Sequence, residues 1–517
     1  MTISASQMGK LYDVIIAGAG PIGLFLATEL RLARASVLVL EHDATPDNPW
    51  KSFPLGFRGL NLLSVEILYR RGLLHHFSNS GPDKPAGFDF SRSAGHFAGL
   101  PLIAGDLKGS SWIYRIATPG VNPGRTTTEQ IESVLSKHAE SVGVDIVCGN
   151  GITALAQDDS SVRVETTQSQ TFRGRYLVGC DGGRSTVRKL AAINFDGTEP
   201  KYTAFSATCT LDPPNMLKPG FHKTDNGFMV VVPSPITCVH LLDFSAANFD
   251  RTQEITLEHF QEAFARISGR TDIQVTALHQ VTSSTDRCKK AATYRSGRVI
   301  LAGDVAHIHS PIGAQGLNLG LGDAMNLGWK LGAVVRAEAH GAGDKMLTEL
   351  LDSYETERSP VADWVLEWTR AQVSTLMPDL YGKAIRKVVE DLIATPEGMS
   401  QMIAKVWGVD IRYDLSKGQE VHDLIGRSAP DFEFEDGSRL GEKMRGGNWL
   451  MIDFDGRKDL AMQLQDYEHV RTIRTNAKDE KGLKAVLVRP DGIVAWASDS
   501  EINLEEVKGV LTPYVQL

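Results

Sequence analysis

Three glycine-rich turns hold the residues whose types and spacing suit chemistry. The first, Gly18-Ala19-Gly20-Pro21-Ile22-Gly23, follows the apolar, β-branched run 12–17 and precedes Leu24, Leu26, Ala27 and Leu30 at helical spacing. Strand, tight turn and helix are predicted in that order. Val37-Leu38-Val39-Leu40 supplies a second strand, and Glu41 closes it 18 positions after Gly23. A carboxylate there accepts hydrogen bonds from both hydroxyls of an adenosine ribose, and a helix N-terminus at 21–23 turns unpaired N–H groups toward a pyrophosphate. The combined fingerprint reads as a dinucleotide site; the bland alternative is a set of glycines that only lets a helix pack close to a sheet. Nothing in it separates FAD from NAD(P).

The second turn, Asp181-Gly182-Gly183-Arg184-Ser185, follows the strand-like Leu177-Val178-Gly179. Its glycines permit positive φ and close backbone approach, and Ser185 suits a helix cap. In the third, 298–303 ends a strand on Asp304, whose carboxylate suits ribitol hydroxyls. The small-residue loop Ser310-Pro311-Ile312-Gly313-Ala314-Gln315-Gly316-Leu317-Asn318 comes next, then an amphipathic helix with Ala324, Leu327, Leu331, Val334 and Val335 on one face. Such a loop lets a flat ring approach the backbone. The helix beginning at 316–318 would aim its positive end at the pyrimidine edge of a flavin, where reduction deposits negative charge.

These three motifs, in this order and spacing, resemble the class A flavoprotein monooxygenases, the para-hydroxybenzoate hydroxylase-like family. The likeness is strongest to aromatic polyketide hydroxylases, phenol hydroxylase and rifampicin monooxygenase. The resemblance implies an α/β architecture: a Rossmann-like FAD-binding domain of the glutathione reductase type, an inserted, mostly antiparallel substrate sheet and a C-terminal thioredoxin-like domain. It implies that Gly18, Gly20, Pro21, Gly23 and Glu41 hold the ADP half of FAD and that Asp181 and Gly182 belong to a motif associated with FAD and NAD(P)H. Asp304 would bond the ribitol, Pro311 would lie beside the isoalloxazine, and Gly316, Leu317 and Asn318 would face its pyrimidine edge. NAD(P)H, with NADPH preferred, would be the reductant, O2 the oxidant and a small aromatic molecule the substrate, hydroxylated through the C4a hydroperoxide of the flavin.

Two positions depart from the family pattern. Where it commonly has an arginine, this chain has Gly56, and Arg58 is the nearest candidate. Where relatives begin the helix after the substrate-side segment with Gln or Arg, this chain has Thr128, with Gln130 and Arg125 as neighbours. That helix is otherwise clear: Thr127 and Gln130 fit a capping box, and Ile131, Val134, Leu135, Ala139 and Val142 form an apolar stripe.

The elements that must position these turns are legible in outline. A chain of 517 residues suggests two or three compact units. Residues 1–187, with a substrate-side segment near 75–115, read as the first part of the FAD domain, and short alternating runs in 188–290, such as 228–232, as the substrate sheet. The FAD domain resumes over 291–406 with a helical stretch from about Leu350. In 415–517, the run 448–454 and the hairpin 485–496 around Pro490-Asp491-Gly492 mark the C-terminal domain. Phe90, Phe97 and Phe228 are candidates for pocket walls, with plain core packing the alternative.

Composition excludes several classes. Hydrophobic residues at 42% and charged residues at 23% are those of a folded globular protein, and a net charge of −9 without a basic run argues against nucleic acid. The five scattered cysteines, Cys148, Cys180, Cys209, Cys238 and Cys288, suggest reduced thiols and a cytoplasmic protein, and none lies in the C-terminal domain to support thiol redox chemistry. The apolar stretch 14–30 is broken by glycines and Glu29, so no signal peptide or membrane span is expected. No metal is expected, since His307 and His309 lack a third ligand. Monomer and homodimer are both open, as are Baeyer–Villiger oxygenation, halogenation or reduction by the same cofactor. The Trp-x-Trp-x-Ile-Pro run of halogenases is absent.

Overall fold

The computed structural model describes residues 9–77, 93–104, 112, 114–115, 123–232, 236–250, 252–341, 344–416 and 418–512. Its N-terminal sheet grows around the strand Leu11–Ala17, whose alternate and then continuous burial follows from being covered on both faces. Val37–Leu40 lies parallel on one side, followed by Asp145–Val147, and Thr171–Gly179 lies parallel on the other, followed by Val299–Leu301. All five strands point their C-terminal ends the same way, and the three turns leave from that edge. Strands Ile152–Gln157 and Val162–Thr166 extend the sheet antiparallel beyond residues 171–174.

The helices Pro21–Leu32 and Gly316–Ala339 cross over one face of this sheet at very short range. Side chains at three glycines of the second helix would overlap the first: a Cβ on Gly320 would lie 2.6 Å from Ile22 Cδ1, on Gly328 2.4 Å from Glu29 Cβ, and on Gly332 2.3 Å from Ala33 Cβ. The helix 316–339 is not the one-sided amphipathic element expected from its apolar stripe. Asp323, Asn326 and Lys330, on what would be its solvent face, are as buried as its leucines. The cause is tertiary: the long helix Asp344–Leu376 and the C-terminal unit cover that side.

The inserted region forms a five-stranded antiparallel sheet in the order Gly220–Lys223, Phe228–Val232, Thr237–Asp243, Thr203–Asp212, Gln274–Thr285. One face packs under the helix Leu257–Ser268 through Phe205, Leu241, Phe260 and Phe264. The other carries Tyr202, Ala204, Phe228 and Leu242 toward the hairpin Ser93–Phe97/Leu100–Ile103, Ile312 and the helices 380–393 and 396–407. Phe97 and Phe228 are both in that apolar cluster; Phe90 lies outside the described residues.

The C-terminal sheet runs Val470–Arg474, Trp449–Asp453, Ala485–Val488, Val494–Ser498, the first pair parallel and the others antiparallel. Its hairpin turn, 489–493, is driven into the body of the molecule. The Arg489 guanidinium pairs with Glu357 at 2.7 Å and with Asp491, while Glu357 also receives Lys330 Nζ at 3.0 Å and Asn326 Nδ2 at 2.7 Å. Trp329 Nε1 donates to Asp491 at 3.1 Å. Arg71, paired with Glu29 at 2.6 Å, also donates to the carbonyls of Met444 and Pro490. No helix among the described residues is long and apolar enough to cross a membrane.

Removing one member of such a network strands the others in a dry interior. Glu357→Ala is expected to lower unfolding free energy by about 3–5 kcal/mol, because Lys330 and Arg489 lose their shared counter-ion. Urea denaturation of the two proteins measures it, and a loss below about 1 kcal/mol, the range of an exposed pair, contradicts the network's role.

Candidate active site

The three turns predicted from sequence meet in one place. Gly18, with φ of +102°, passes so close to the second turn that a Cβ would lie 2.5 Å from the Cys180 carbonyl oxygen and 3.2 Å from Asp181 Cα. Ile22, at the start of the first helix, is held between Gly303 and Gly320, and a Cβ on Gly183 would touch Ile308 at 2.8 Å. Arg188 ties the second turn to the third: its guanidinium donates to the Val305 carbonyl at 2.9 Å and the Gly183 carbonyl at 3.1 Å. That bond was not anticipated from the sequence, where Arg188 is only part of a helix start.

Each acidic residue of the fingerprint has a definite setting. Glu41 accepts from the Ala19 N–H at 2.6 Å and the Asp43 N–H at 2.9 Å, and so fixes the first loop from the end of the second strand. Asp181 caps the helix Thr186–Leu190, accepting from Ser185 Oγ and from the amides of Thr186 and Val187. Asp304 is exposed at the third turn, and a Cβ on Gly316 would lie 3.7 Å from its Oδ1 and 3.6 Å from His309 Nε2.

His309 adds a feature that sequence reasoning passed over. Its Nδ1 lies 2.8 Å from the Ser310 carbonyl oxygen, which can only accept, so Nδ1 carries the proton and Nε2 presents a lone pair. Nε2 is buried and has no hydrogen-bond partner, and burial holds the ring's pKa below the ordinary histidine value. An acceptor without a donor, beside a carboxylate and a helix N-terminus, suits a ligand that brings hydroxyl or imide N–H groups. His307 is different: its Nε2 lies 2.6 Å from Asp323, which also takes the Gly303 N–H at 3.1 Å and Arg358 at 2.8 Å.

The loop ahead of the helix is held from two sides. Asn318 donates to the Gly59 and Ala314 carbonyls and accepts from the Asn61 amide, stitching the strand Phe57–Leu60 to the loop. Gly313 and Ala314 both take left-handed backbone, at φ of +86° and +53°. For Ala314 that is strained by about 1 kcal/mol, as is common beside ligands. Pro311 is exposed at the loop's tip, and Leu317 is half-buried against the core.

Gly56 leaves no room for the arginine of the family pattern, since a Cβ would fall 1.8 Å from the Lys51 carbonyl oxygen. Arg58 stands nearby. Burial lowers its pKa and the charges of Asp304 and Glu132 oppose that shift, so it shares one electrostatic region with the third turn. Glu132 in turn is raised by burial, despite Lys51 Nζ at 2.7 Å, and feels Glu41. His240, bonded to Ser206 at 2.8 Å on the site-facing side of the sheet, is pushed down to about 4 by burial with Arg58 adding to the effect. Gln130 is turned elsewhere: its amide donates to the His76 carbonyl at 3.1 Å and accepts from Thr126 at 3.2 Å. Thr127 does cap the helix Thr128–Ser141 through the Gln130 amide, but the reciprocal half of the expected capping box is replaced by that His76 contact. Thr128 bonds the Gly56 carbonyl through its backbone N–H.

The residues present fit a dinucleotide flavin. Cβ atoms on Gly20 and Gly182 would meet no atom within 4 Å, so these two glycines leave open space in front of the first helix while Gly18 and Gly23 are hemmed in by backbone. This contrast is testable. Gly20→Val is expected to leave the melting temperature of the flavin-free protein unchanged but to reduce FAD retention at least about tenfold, since a side chain there occupies ligand space. Gly23→Ala, whose Cβ would lie 2.1 Å from the Gly18 carbonyl oxygen, is expected to lower both. Equal FAD content in wild type and Gly20→Val, measured by absorbance after desalting, contradicts the placement.

Residues 11–369 match the FAD binding domain family, and residues 422–514 match the aromatic-ring hydroxylase C-terminal family. A protein of Claviceps purpurea described as a monooxygenase is 42% identical over 512 residues, covering 98% of both chains. The rifampicin monooxygenase of Streptomyces venezuelae is 35% identical, covering 96% of this chain and 97% of its own. The structure of OxyS anhydrotetracycline hydroxylase from Streptomyces rimosus superposes with a TM-score of 0.84 at 33% identity, covering 98% of this chain and all of that one. With both parts of the pattern present along one chain and the glycine turns converged on one groove, this protein belongs to the FAD-dependent aromatic-ring hydroxylases, a family of flavoprotein monooxygenases.

Proposed function

We propose that the chain uses FAD, with NADPH preferred over NADH as reductant and O2 as oxidant, to hydroxylate a small phenolic or polyketide-type aromatic molecule. The observation that carries this reading is the convergence of the three turns opposite an apolar wall. The Pro311–Ala314 loop faces one way onto Gly316, Asp304 and His309, and the other onto a cluster including Leu62, Phe97, Tyr202, Phe228, Ile312 and Trp407. In this reading a polar cradle for one ring system and an apolar compartment for another share that loop. Relatives named for rifampicin and anhydrotetracycline support polycyclic substrates; the preference for NADPH rests on family resemblance.

Bound FAD would supply the transfer of electrons from nicotinamide to O2 and of one oxygen atom to the substrate. The chain's part is to hold both rings and exclude water. In this reading Gly18, Gly20, Pro21, Gly23 and Gly182 border the pyrophosphate, Glu41 takes the adenosine ribose in exchange for its present bond to Ala19, and Asp304 with His309 accepts from the ribitol or the pyrimidine edge. Asp181 acts through the helix it caps. Arg58 balances the negative charge of Asp304. Gln130 takes part only if its amide leaves His76.

The domain assignment follows the same reading. The parallel strand order around residues 11–17 supports a Rossmann-like FAD domain built from 1–187 and 291–406, with 188–290 as the substrate sheet. The C-terminal order, one parallel pair flanked by an antiparallel hairpin and a closing helix at Leu504–Leu511, supports a thioredoxin-like unit over 415–517 in a structural role.

Aerobic turnover decides the matter. With NADPH, purified yellow protein and a panel of polycyclic phenols, at least one substrate is expected to raise NADPH oxidation about tenfold, a barrier change of roughly 1.4 kcal/mol. Its product is expected to gain one labelled oxygen atom from isotopic O2 as a ring hydroxyl. NADPH consumption that yields only hydrogen peroxide across the panel, or an inserted ester oxygen, contradicts hydroxylation.

A further inference from the structure

On the helix Asp344–Leu376, Trp368 and Gln372 lie one turn apart and so share a face. Gln372 is 0% exposed. Its Oε1 accepts the Ala98 N–H at 2.9 Å, which fixes the amide's orientation and turns Nε2 toward the Pro311–Ala314 loop: a Cβ on Gly313 would lie 2.9 Å from Nε2. Nε2 is buried and finds no acceptor. The indole Nε1 of Trp368 is likewise buried and without a partner, while its ring meets Phe97 edge-on at 4.8 Å. Phe97 and Ala98 are consecutive, so both donors lie against one corner of the hairpin that closes the apolar compartment.

The rest of this helix does not behave so. Thr369 donates to the Leu366 carbonyl and Thr375 to the Gln372 carbonyl, and Lys290 reaches Asp363 and Ser359 near its middle. Among the described residues of this helix, only Trp368 and Gln372 carry buried N–H groups that are left unmet. A buried unmet donor is unfavourable, and native proteins keep such groups where a ligand supplies the acceptor. Both groups are neutral and can only donate on these atoms, so the complementary group is a neutral or anionic oxygen on the edge of a flat, otherwise apolar ring.

We infer that Trp368 and Gln372 form a donor pair that positions the substrate by gripping a keto or phenolate oxygen, beside the loop that carries Pro311. This inference rests on the hydroxylase reading for the identity of the compartment. It adds a requirement that the reading does not contain: an oxygen the substrate already carries is held by these two donors, and that grip fixes which ring edge faces the flavin.

The test uses the FAD-loaded full chain and two probes, alizarin, a planar dihydroxylated quinone, and anthracene, its ring skeleton without oxygen. Binding is followed by perturbation of the flavin absorbance. Trp368→Phe deletes the indole N–H and keeps an aromatic ring against Phe97; Gln372→Glu keeps the acceptor for Ala98 and deletes the donor. Each variant is expected to weaken alizarin about tenfold, with anthracene affinity and FAD content at wild-type values, and Trp368→Phe is expected to keep the wild-type melting temperature. Unchanged alizarin affinity in both variants, equal weakening of both probes, or no binding of alizarin to the wild type overturns the proposal. If Gln372→Glu does not fold, Trp368→Phe decides. Oxygen incorporation is scored separately. Donor-dependent alizarin binding without hydroxylation of any phenol leaves the subsite standing and removes the hydroxylase reading, whereas hydroxylation with donor-independent binding does the reverse.

Discussion

The close crossing of helices 21–32 and 316–339 is the constraint on which the site depends. A glycine at 320, 328 and 332 lets the two axes approach until Ile22, Glu29 and Ala33 touch the partner helix's backbone surface. The first helix begins at the first turn and the second at the third, so the crossing brings two N-termini to one edge of the parallel sheet. Gly18 against Cys180, and Arg188 against Val305, draw in the remaining turn. A methyl group at any of the three crossing glycines would push the helix ends apart. The groove would then open before any ligand-facing residue changed.

A second layer of contacts runs from the C-terminal unit to the same edge. Arg489, itself paired with Asp491, meets Glu357; the next residue, Arg358, pairs with Asp323 at 2.8 Å; and Asp323 holds His307 and the Gly303 amide. Tyr413, from the connector between the two parts, accepts from Arg358 at 3.0 Å. Burying this many charges gives little net stability compared with apolar packing, but it allows few alternative arrangements. The turn that bears Asp304 is therefore positioned by groups on four other segments of the chain.

Much of this was legible in the sequence because the signals are local. A β-branched run, a glycine at a position of positive φ, and an acid at the end of the next strand are set by neighbours within a few residues, and all three turns were placed from them. The antiparallel run at 228–232, the hairpin at 485–496 and the capped helix after Thr127 were legible for the same reason. What could not be read depends on distant packing. Asp323, Asn326 and Lys330 resemble a solvated helix face until the segments that cover them are known. Gln130 looks free to serve a ligand until His76 is seen beside it. The lone pair of His309, passed over as half of an unpersuasive metal pair, is defined only by the bond its other nitrogen makes to Ser310. Gly56 reads as a missing arginine, whereas the Lys51 carbonyl leaves no space for one.

The hairpin turn 489–493 has a consequence for how such enzymes can be recombined. Its Arg489 finds a counter-charge in Glu357 on helix 344–376, its Asp491 accepts from the Trp329 indole on helix 316–339, and its Pro490 carbonyl is met by Arg71 from a third element. The C-terminal unit is thus no detachable module hung on a linker. Grafted from a relative, it would arrive with unmatched ions at the joint unless Arg71, Trp329, Lys330 and Glu357 travelled with it, so the natural seam for building chimaeras runs around the buried turn and not along the connecting peptide.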